Sequence, residues 1–195
     1  MAATHTDCVL GFLDEVWWSR LAQPDLHAWS PDGSPLRLTE HKADKADKAD
    51  PDPKALACYG LLRRDTDGLL LRFVQGRPVS HVTCHFLAWA CGELAKEGKK
   101  VLLLVWDNAA WHVSKEVRGW VRAHNRAAKD NGGVRIRVCH LPVKAPWLNP
   151  IEPKWMHGKR AVAEPDRKLA AQELKQRICD HYGCELLPPL AQKVA

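Results

Sequence analysis

The apolar run VLLLVW, residues 101–106, constrains the fold of this chain more than any other segment. Consecutive apolar residues without alternation are typical of a strand in the middle of a sheet with both faces covered. Apolar residues at helical spacing precede the run at 80–100, where Ser80 is the expected N-cap, and an amphipathic helical pattern follows it at 114–130. A buried strand between two helices predicts the α/β class.

The remaining patterns predict a mixed sheet. A short apolar segment ending in acids, 8–15, reads as a buried strand, and two helices are expected after it near the end of the chain, one opening at Asn149 and one at 169–182. Further strand patterns are two short pieces within 26–40, a hairpin at 55–74 around an Asp-Thr-Asp-Gly turn, and an alternating segment at 134–141. Because a hairpin comes before the alternating helices and strands, the sheet should combine antiparallel and parallel strands.

The length of 195 residues suits a single domain spanning 1–195. The triplet repeat KADKADKAD at 42–50 is charge-balanced and has no large apolar residue to bury, which predicts a low-complexity loop insertion over 41–54. The tail 183–195 is expected to be irregular.

Charge and cysteine content indicate which class of partner the chain binds and in which cellular compartment it lies. The net charge is +6, which favours a polyanionic partner modestly, and the seven cysteines cannot all pair within one chain. No secretory signal and no apolar run long enough for a membrane is visible. Reduced thiols in a cytoplasm are therefore expected.

Three acids are candidates for chemistry. Asp14 and Asp107 each follow an apolar strand pattern, and Glu152 lies at the start of a helix. Glu152 also has a purely structural interpretation, because Asn149 suits an N-cap and a glutamate three positions later completes a capping box. If the three carboxylates converge, their repulsion requires a cation, and hard oxygen ligands suit Mg²⁺, with Mn²⁺ as a substitute.

The segments WDNAAWH and LPVKAPWLNPIEPKW, with GFLDEVWWSRL near the N-terminus, resemble three blocks of the IS630/Tc1/mariner superfamily of transposases. The resemblance implies an RNase H-like catalytic domain that cleaves and transfers DNA strands with two metal ions. It places the catalytic and metal-binding triad on Asp14, Asp107 and Glu152, with Asn108, His112 and Asn149 as supporting polar residues. Trp147 and Trp155 are expected to pack rather than to touch DNA.

The same resemblance implies DNA as the partner, both transposon ends and target, a homodimer in the active complex, and a cytoplasmic, nucleoid-associated location in a bacterium. The family's helix-turn-helix module is expected to be absent from this chain, and a separately encoded half would then supply it. Between Asp107 and Glu152 lie 44 residues, more than is usual in the family, and the excess is expected in a surface loop at 123–133. Two alternatives stay open: a catalytically inactive DNA-binding or dimerisation remnant, and an unrelated nuclease of similar architecture.

Overall fold

The structure of the chain is a computed structural model that describes residues 6–20, 27–29, 32, 35–37, 50–143, 145–162 and 168–191. Within these residues the elements, in chain order, are β1 (Cys8–Ser19), β2 (His27–Trp29), β3 (Pro35–Arg37), β4 (Ala55–Arg63), β5 (Leu69–Val74), α1 (Ser80–Lys96), β6 (Val101–Trp106), α2 (Lys115–Asn131), β7 (Arg135–His140), a 3₁₀ turn (Pro146–Leu148), α3 (Ile151–Val162) and α4 (Ala171–Tyr182).

Five strands form one mixed sheet in the order β5-β4-β1-β6-β7. The hairpin of β4 and β5 is antiparallel, and β4 is antiparallel to β1, whereas β6 and β7 run parallel to β1. The strands β2 and β3 form a separate two-stranded antiparallel sheet. The predicted α/β class with a mixed sheet flanked by helices is confirmed.

The two faces of the sheet bury different helices. On one face, Leu13, Leu102 and Leu104 pack with α1 residues such as Phe86 and Leu87. On the other face, residues of β1, β4 and β5 pack with α3 and α4. Strand alternation separates the two cores, since Leu13 belongs to the first and Val16 to the second.

The expectation that both faces of residues 101–106 are covered is wrong. In β6, Leu102, Leu104 and Trp106 are buried, whereas the residues between them are only partly buried. The reason is that α3 and α4 cover the β1, β4 and β5 side of their face. Strand β7 forms the sheet edge, and Ile136 is its one buried residue.

Strand β1 is longer than the predicted 8–15. It continues to Ser19 because it pairs with β4 as far as Ser19 opposite Ala55, while its parallel pairing with β6 stops at Phe12 opposite Val105. Asp14 therefore lies within the strand and not at its end. It stands just beyond the point where β1 separates from β6.

Two helix details also differ from expectation. Ser80 does not cap α1, because the N-cap is Val79, which makes no side-chain cap bond, and the Ser80 hydroxyl donates to the Trp111 carbonyl instead at 3.4 Å. The loop expected at 123–133 is largely helix, since α2 extends to Asn131. Asn125 explains the extension, because its amide exchanges hydrogen bonds of 2.7 and 2.8 Å with the backbone of Ile136 and so fastens this part of α2 to β7.

Only part of the predicted insertion and of the predicted tail lies within the described residues. Residues 41–49 lie outside the described residues, but Asp50 and Asp52 form ion pairs with the buried Arg20, at 3.1 and 3.3 Å. Asp52 also accepts a 2.8 Å bond from the Ala171 backbone at the start of α4. In the tail, Leu190 forms a backbone bridge with Val74, while the other described residues beyond α4 are irregular. None of the described helices is long and apolar enough to cross a membrane.

Candidate active site

Asp14 and Glu152 lie near each other on the α3 side of the sheet. Alternation along β1 directs Asp14 to the same face as Val16, and Trp155 of α3 donates an indole hydrogen bond to the Asp14 carboxylate at 3.0 Å. Burial raises the pKa of Asp14, and the negative charges of Glu152 and Glu15 raise it further, to about 7. A positive charge near this carboxyl would lower its pKa and favour the ionised form.

Asn149 fixes the start of α3 against β1. Its side chain is buried, donates to the Leu13 carbonyl at 3.3 Å and accepts from the Ile151 backbone N–H at 3.4 Å. The N-cap role predicted for Asn149 is confirmed, and the added bond to β1 places Glu152 beside Asp14. The second half of a capping box is not formed, because no hydrogen bond among the described residues uses the Glu152 carboxylate. That carboxylate is available for another role.

Asp107 directly follows β6, the strand that runs parallel to β1. Phe12 pairs with Val105 at the end of that parallel ladder, and Asp14 and Asp107 each lie two residues beyond this pair in sequence. One Asp107 oxygen, Oδ1, accepts from the Ala109 backbone at 2.9 Å and from His112 Nδ1 at 2.7 Å. The His112 bond is the main reason why the pKa of Asp107 lies below its usual value.

His112 joins Asp107 to Glu15. Its Nε2 lies 2.8 Å from Glu15 Oε1, and its ring stacks on Trp106 with centroids 4.5 Å apart. Burial by itself lowers the pKa of His112, but the bonds to Asp107 and Glu15 outweigh burial and raise the pKa to about 9. The imidazole is therefore a buried cation between two carboxylates at neutral pH.

The other predicted residues have structural contacts or face solvent. The Asn108 amide donates to the Leu141 carbonyl at 2.7 Å, which ties the end of β6 to the end of β7. Trp155 is buried, as predicted, whereas Trp147 is 75 % exposed, so the expectation that it packs is wrong. The 3₁₀ turn that carries Trp147 leaves its side chain outside the core.

The donor set fits a hard divalent cation. Asp14, Asp107 and Glu152 supply carboxylate oxygens only. The raised pKa of Asp14 reflects first its burial and then the negative charges of Glu152 and Glu15, and a nearby cation would offset both. The side chains do not form a finished cage, since no group of three or more His, Cys, Asp or Glu among the described residues is gathered closely enough to hold a metal ion. Asp14 and Glu152 are brought together, while Asp107 is turned toward His112.

Comparison with known proteins shows the family. The family described as "DDE superfamily endonuclease" matches residues 9–175. The chain belongs to this family. No curated protein sequence gives a significant match.

Solved structures with a similar fold are mariner transposases. The Mos1 transposase paired-end complex with left transposon end is 14% identical, with a TM-score of 0.63, and the match covers 90% of this chain and 48% of that one. The Mos1 mariner paired end complex with Mn is 13% identical, with a TM-score of 0.59 and coverage of 89% and 48%. The chain thus spans about half the length of these proteins. The likeness confirms the predicted RNase H-like fold.

Sequence reasoning gave Glu15 no place in the site. Asp14 and Glu15 are consecutive, and the family resemblance points to Asp14 alone, yet adjacent residues of a strand point to opposite faces. That alternation is the signal that assigns Glu15 a place of its own, beside His112 and Trp111.

Proposed function

We propose that this DDE endonuclease domain cleaves and transfers DNA strands in a metal-dependent reaction, as the catalytic domain of an IS630-like transposase. Asp14, Asp107 and Glu152 would hold Mg²⁺ or Mn²⁺. The observation that carries the proposal is the meeting of Asp14 with Glu152, because two partly buried carboxylates are kept together at a cost that a bound cation relieves.

The three acids have distinct supports. Trp155 orients Asp14, Asn149 places Glu152, and His112 holds Asp107. Divalent ions, when bound, would supply Lewis-acid activation of an attacking oxygen and stabilise the leaving oxygen of a phosphodiester. The Mos1 complexes with Mn and with Mg are consistent with such ions in a similar fold.

The partners follow from the same proposal. DNA, both transposon ends and target, would be the substrate, and the active complex would be a homodimer that acts with a separately encoded helix-turn-helix half. A cytoplasmic, nucleoid-associated location and the single-domain organisation over 1–195 are further parts of the proposal. The positive net charge of +6 supports an acidic partner.

A catalytically inactive remnant is the second candidate. The observation that favours it is that the described acids are not gathered into a group of three ligands. An inactive remnant would keep the fold and would not respond to divalent ions.

Thermal melting with and without Mn²⁺ tests the proposal. A ligand at 100 times its Kd stabilises a protein by about 2.7 kcal/mol, which corresponds to roughly 5–10 °C for a chain of this size. We expect that shift in the unmodified protein and its loss in Glu152→Gln, Asp14→Asn and Asp107→Asn, together with loss of Mn²⁺-dependent nicking of an end-containing duplex.

Glu93→Gln is the matched control, because Glu93 is an acid on α1 whose hydrogen-bonded partner is the exposed Lys96. This variant should keep the full Mn²⁺ response. If Mn²⁺ does not change the melting temperature of the unmodified protein, Glu152 has no metal-binding role. That result would support the inactive remnant.

A further inference from the structure

A continuous row of buried polar groups connects β1 to the end of β6. Glu15 Oε1 lies 2.8 Å from His112 Nε2, and His112 Nδ1 lies 2.7 Å from Asp107 Oδ1. The side chains of His112 and Glu15 are 0% and 8% exposed, whereas that of Asp107 is 52% exposed. The row therefore begins in the interior and ends at the one carboxylate that reaches solvent.

The His112 ring has no freedom to turn. Both ring nitrogens are engaged by carboxylates, and its face stacks on the buried Trp106 at an interplanar angle of 7°. Glu15 is held in turn by a 3.3 Å bond from the Trp111 indole. A ring fixed on three sides can orient the side chain that it binds.

This support lies just beyond the end of β6. The parallel ladder between β1 and β6 ends at Phe12 and Val105, and the ladder between β6 and β7 ends at Trp106 and His140, so Asp107 follows the last paired residue of β6. Its Oδ1 accepts from His112 and from the Ala109 backbone, while no hydrogen bond among the described residues uses Oδ2. One oxygen is fixed and the other is left open.

We propose that Glu15 is a positioning residue that acts through His112 to hold the Asp107 carboxylate, with Oδ2 turned outward as a ligand atom. The inference rests on the proposed function for the metal, but the coupling of Glu15 to Asp107 is a property of the protein without metal. Consecutive side chains of β1 point to opposite faces of the sheet. In this proposal β1 therefore carries both Asp14, a metal ligand, and Glu15, which positions the second ligand Asp107.

Glu15→Gln is the test variant, because it keeps the shape of the side chain but replaces the carboxylate that lies 2.8 Å from His112 Nε2 with an amide. Two measurements are needed. In metal-free crystals of the full chain, we expect the bond between His112 and Asp107 to break or Asp107 to adopt more than one conformer. In thermal melts, we expect the Mn²⁺ concentration for half-maximal stabilisation to rise by about 10- to 100-fold, the usual effect of losing a partner of a metal ligand.

A second variant separates positioning from general support of the fold. Asn125→Ala is the matched control, since it removes two hydrogen bonds between α2 and β7. It should lower the melting temperature and leave the Mn²⁺ midpoint unchanged.

The outcomes distinguish the two proposals. If Glu15→Gln melts lower but keeps the Mn²⁺ midpoint and the bond between His112 and Asp107, Glu15 is only structural and the inference is overturned. If Asp107 moves in the metal-free Glu15→Gln crystals while the unmodified protein ignores Mn²⁺, the positioning of Asp107 by Glu15 is supported and the proposed metal function fails.

Discussion

Asp14 and Glu15 are adjacent in the sequence and serve opposite faces of the sheet. Asp14 meets Trp155 and Glu152 on the α3 side, whereas Glu15 meets His112 and Trp111 on the other. The two carboxylates differ in how their negative charge is balanced by neighbouring groups. Glu15 is paired with a cation, while Asp14 accepts a neutral indole hydrogen bond and faces two negative charges.

That difference predicts a pH-dependent effect of Asp14→Asn in metal-free buffer. The folded pKa of Asp14 is raised from 3.8 to about 7, so the folded state binds more protons than the unfolded state, and stability falls as pH rises from about 4 to 7. Asparagine does not titrate. The variant should equal the unmodified protein below pH 4 and exceed it by about 2 to 4 kcal/mol at pH 8, since one pKa unit is 1.36 kcal/mol.

Urea unfolding at pH 4 and pH 8 measures this difference. The buffer contains a chelator, because a bound cation would remove the repulsion that the variant relieves. A variant that is less stable than the unmodified protein at pH 8 would show that Asp14 is not electrostatically strained.

At the scale of elements, α3 is held to the sheet by Trp155, which lies over a glycine. Gly60 pairs with Asp14 across β1 and β4, and a Cβ on Gly60 would overlap the Trp155 ring. The absence of a side chain at Gly60 therefore lets the indole approach the sheet and reach the Asp14 carboxylate.

Gly60→Ala should destabilise the protein by about 1–3 kcal/mol, the usual cost of overpacking a core, and should weaken the indole bond to Asp14. Thermal melts and Trp fluorescence measure the two effects. Gly92→Ala is the control, because Gly92 lies within α1 and a Cβ there would meet no atom within 4 Å. It should raise stability by roughly 0.5–1 kcal/mol through helix propensity. A Gly60→Ala variant as stable as the Gly92→Ala variant would mean that Trp155 does not need this contact.

At the scale of the whole molecule, Arg20 connects the end of β1 to the end of the repeat and to the segment before α4. It donates to the Leu169 carbonyl at 2.7 Å and to the Pro53 carbonyl at 3.1 Å, and it pairs with Asp50. Asp50, the last residue of KADKADKAD, is thus part of the folded structure, whereas the preceding eight residues of the repeat lie outside the described residues.

We expect deletion of 42–49 to change stability by less than about 1 kcal/mol, because loop length has only a weak effect on the closure entropy. Deletion of 42–50 should lower the melting temperature further, since it also removes Asp50, one of the two acidic partners of Arg20. Thermal melts of the two deletion variants, run in parallel, measure the contribution of Asp50. Equal losses would show that Asp50 contributes nothing to the connection.

The positive net charge of the chain predicts how its binding to DNA depends on salt. If DNA is bound mainly through Lys and Arg contacts to phosphate, log K should fall linearly with log salt, and end-repeat and scrambled duplexes should bind alike. Titration of both duplexes at several salt concentrations measures the slope and the preference. A strong preference for the end repeat would place a sequence-reading element within these 195 residues.

Local patterns in the sequence are sufficient to predict the elements and their order. Strand and helix periods depend on neighbouring residues, so they predict the hairpin, the strand at 101–106 and the helices around it closely, and the motif blocks around Asp107 and Glu152 indicate the family from the residues alone. The sequence likewise predicts that Asn149 caps α3, because the start of a helix depends on only a few neighbouring residues.

How those elements meet depends on contacts between distant parts of the chain. Strand β1 continues past Asp14 as far as Ser19 because β4 pairs with it over that stretch. The link from Glu15 to His112 joins residues 97 positions apart, and no periodicity within either segment contains that contact. Local patterns specify which face of an element a side chain occupies, but the partner on that face is set by long-range packing, and on that packing depend the pKa of Asp14 and the support of Asp107.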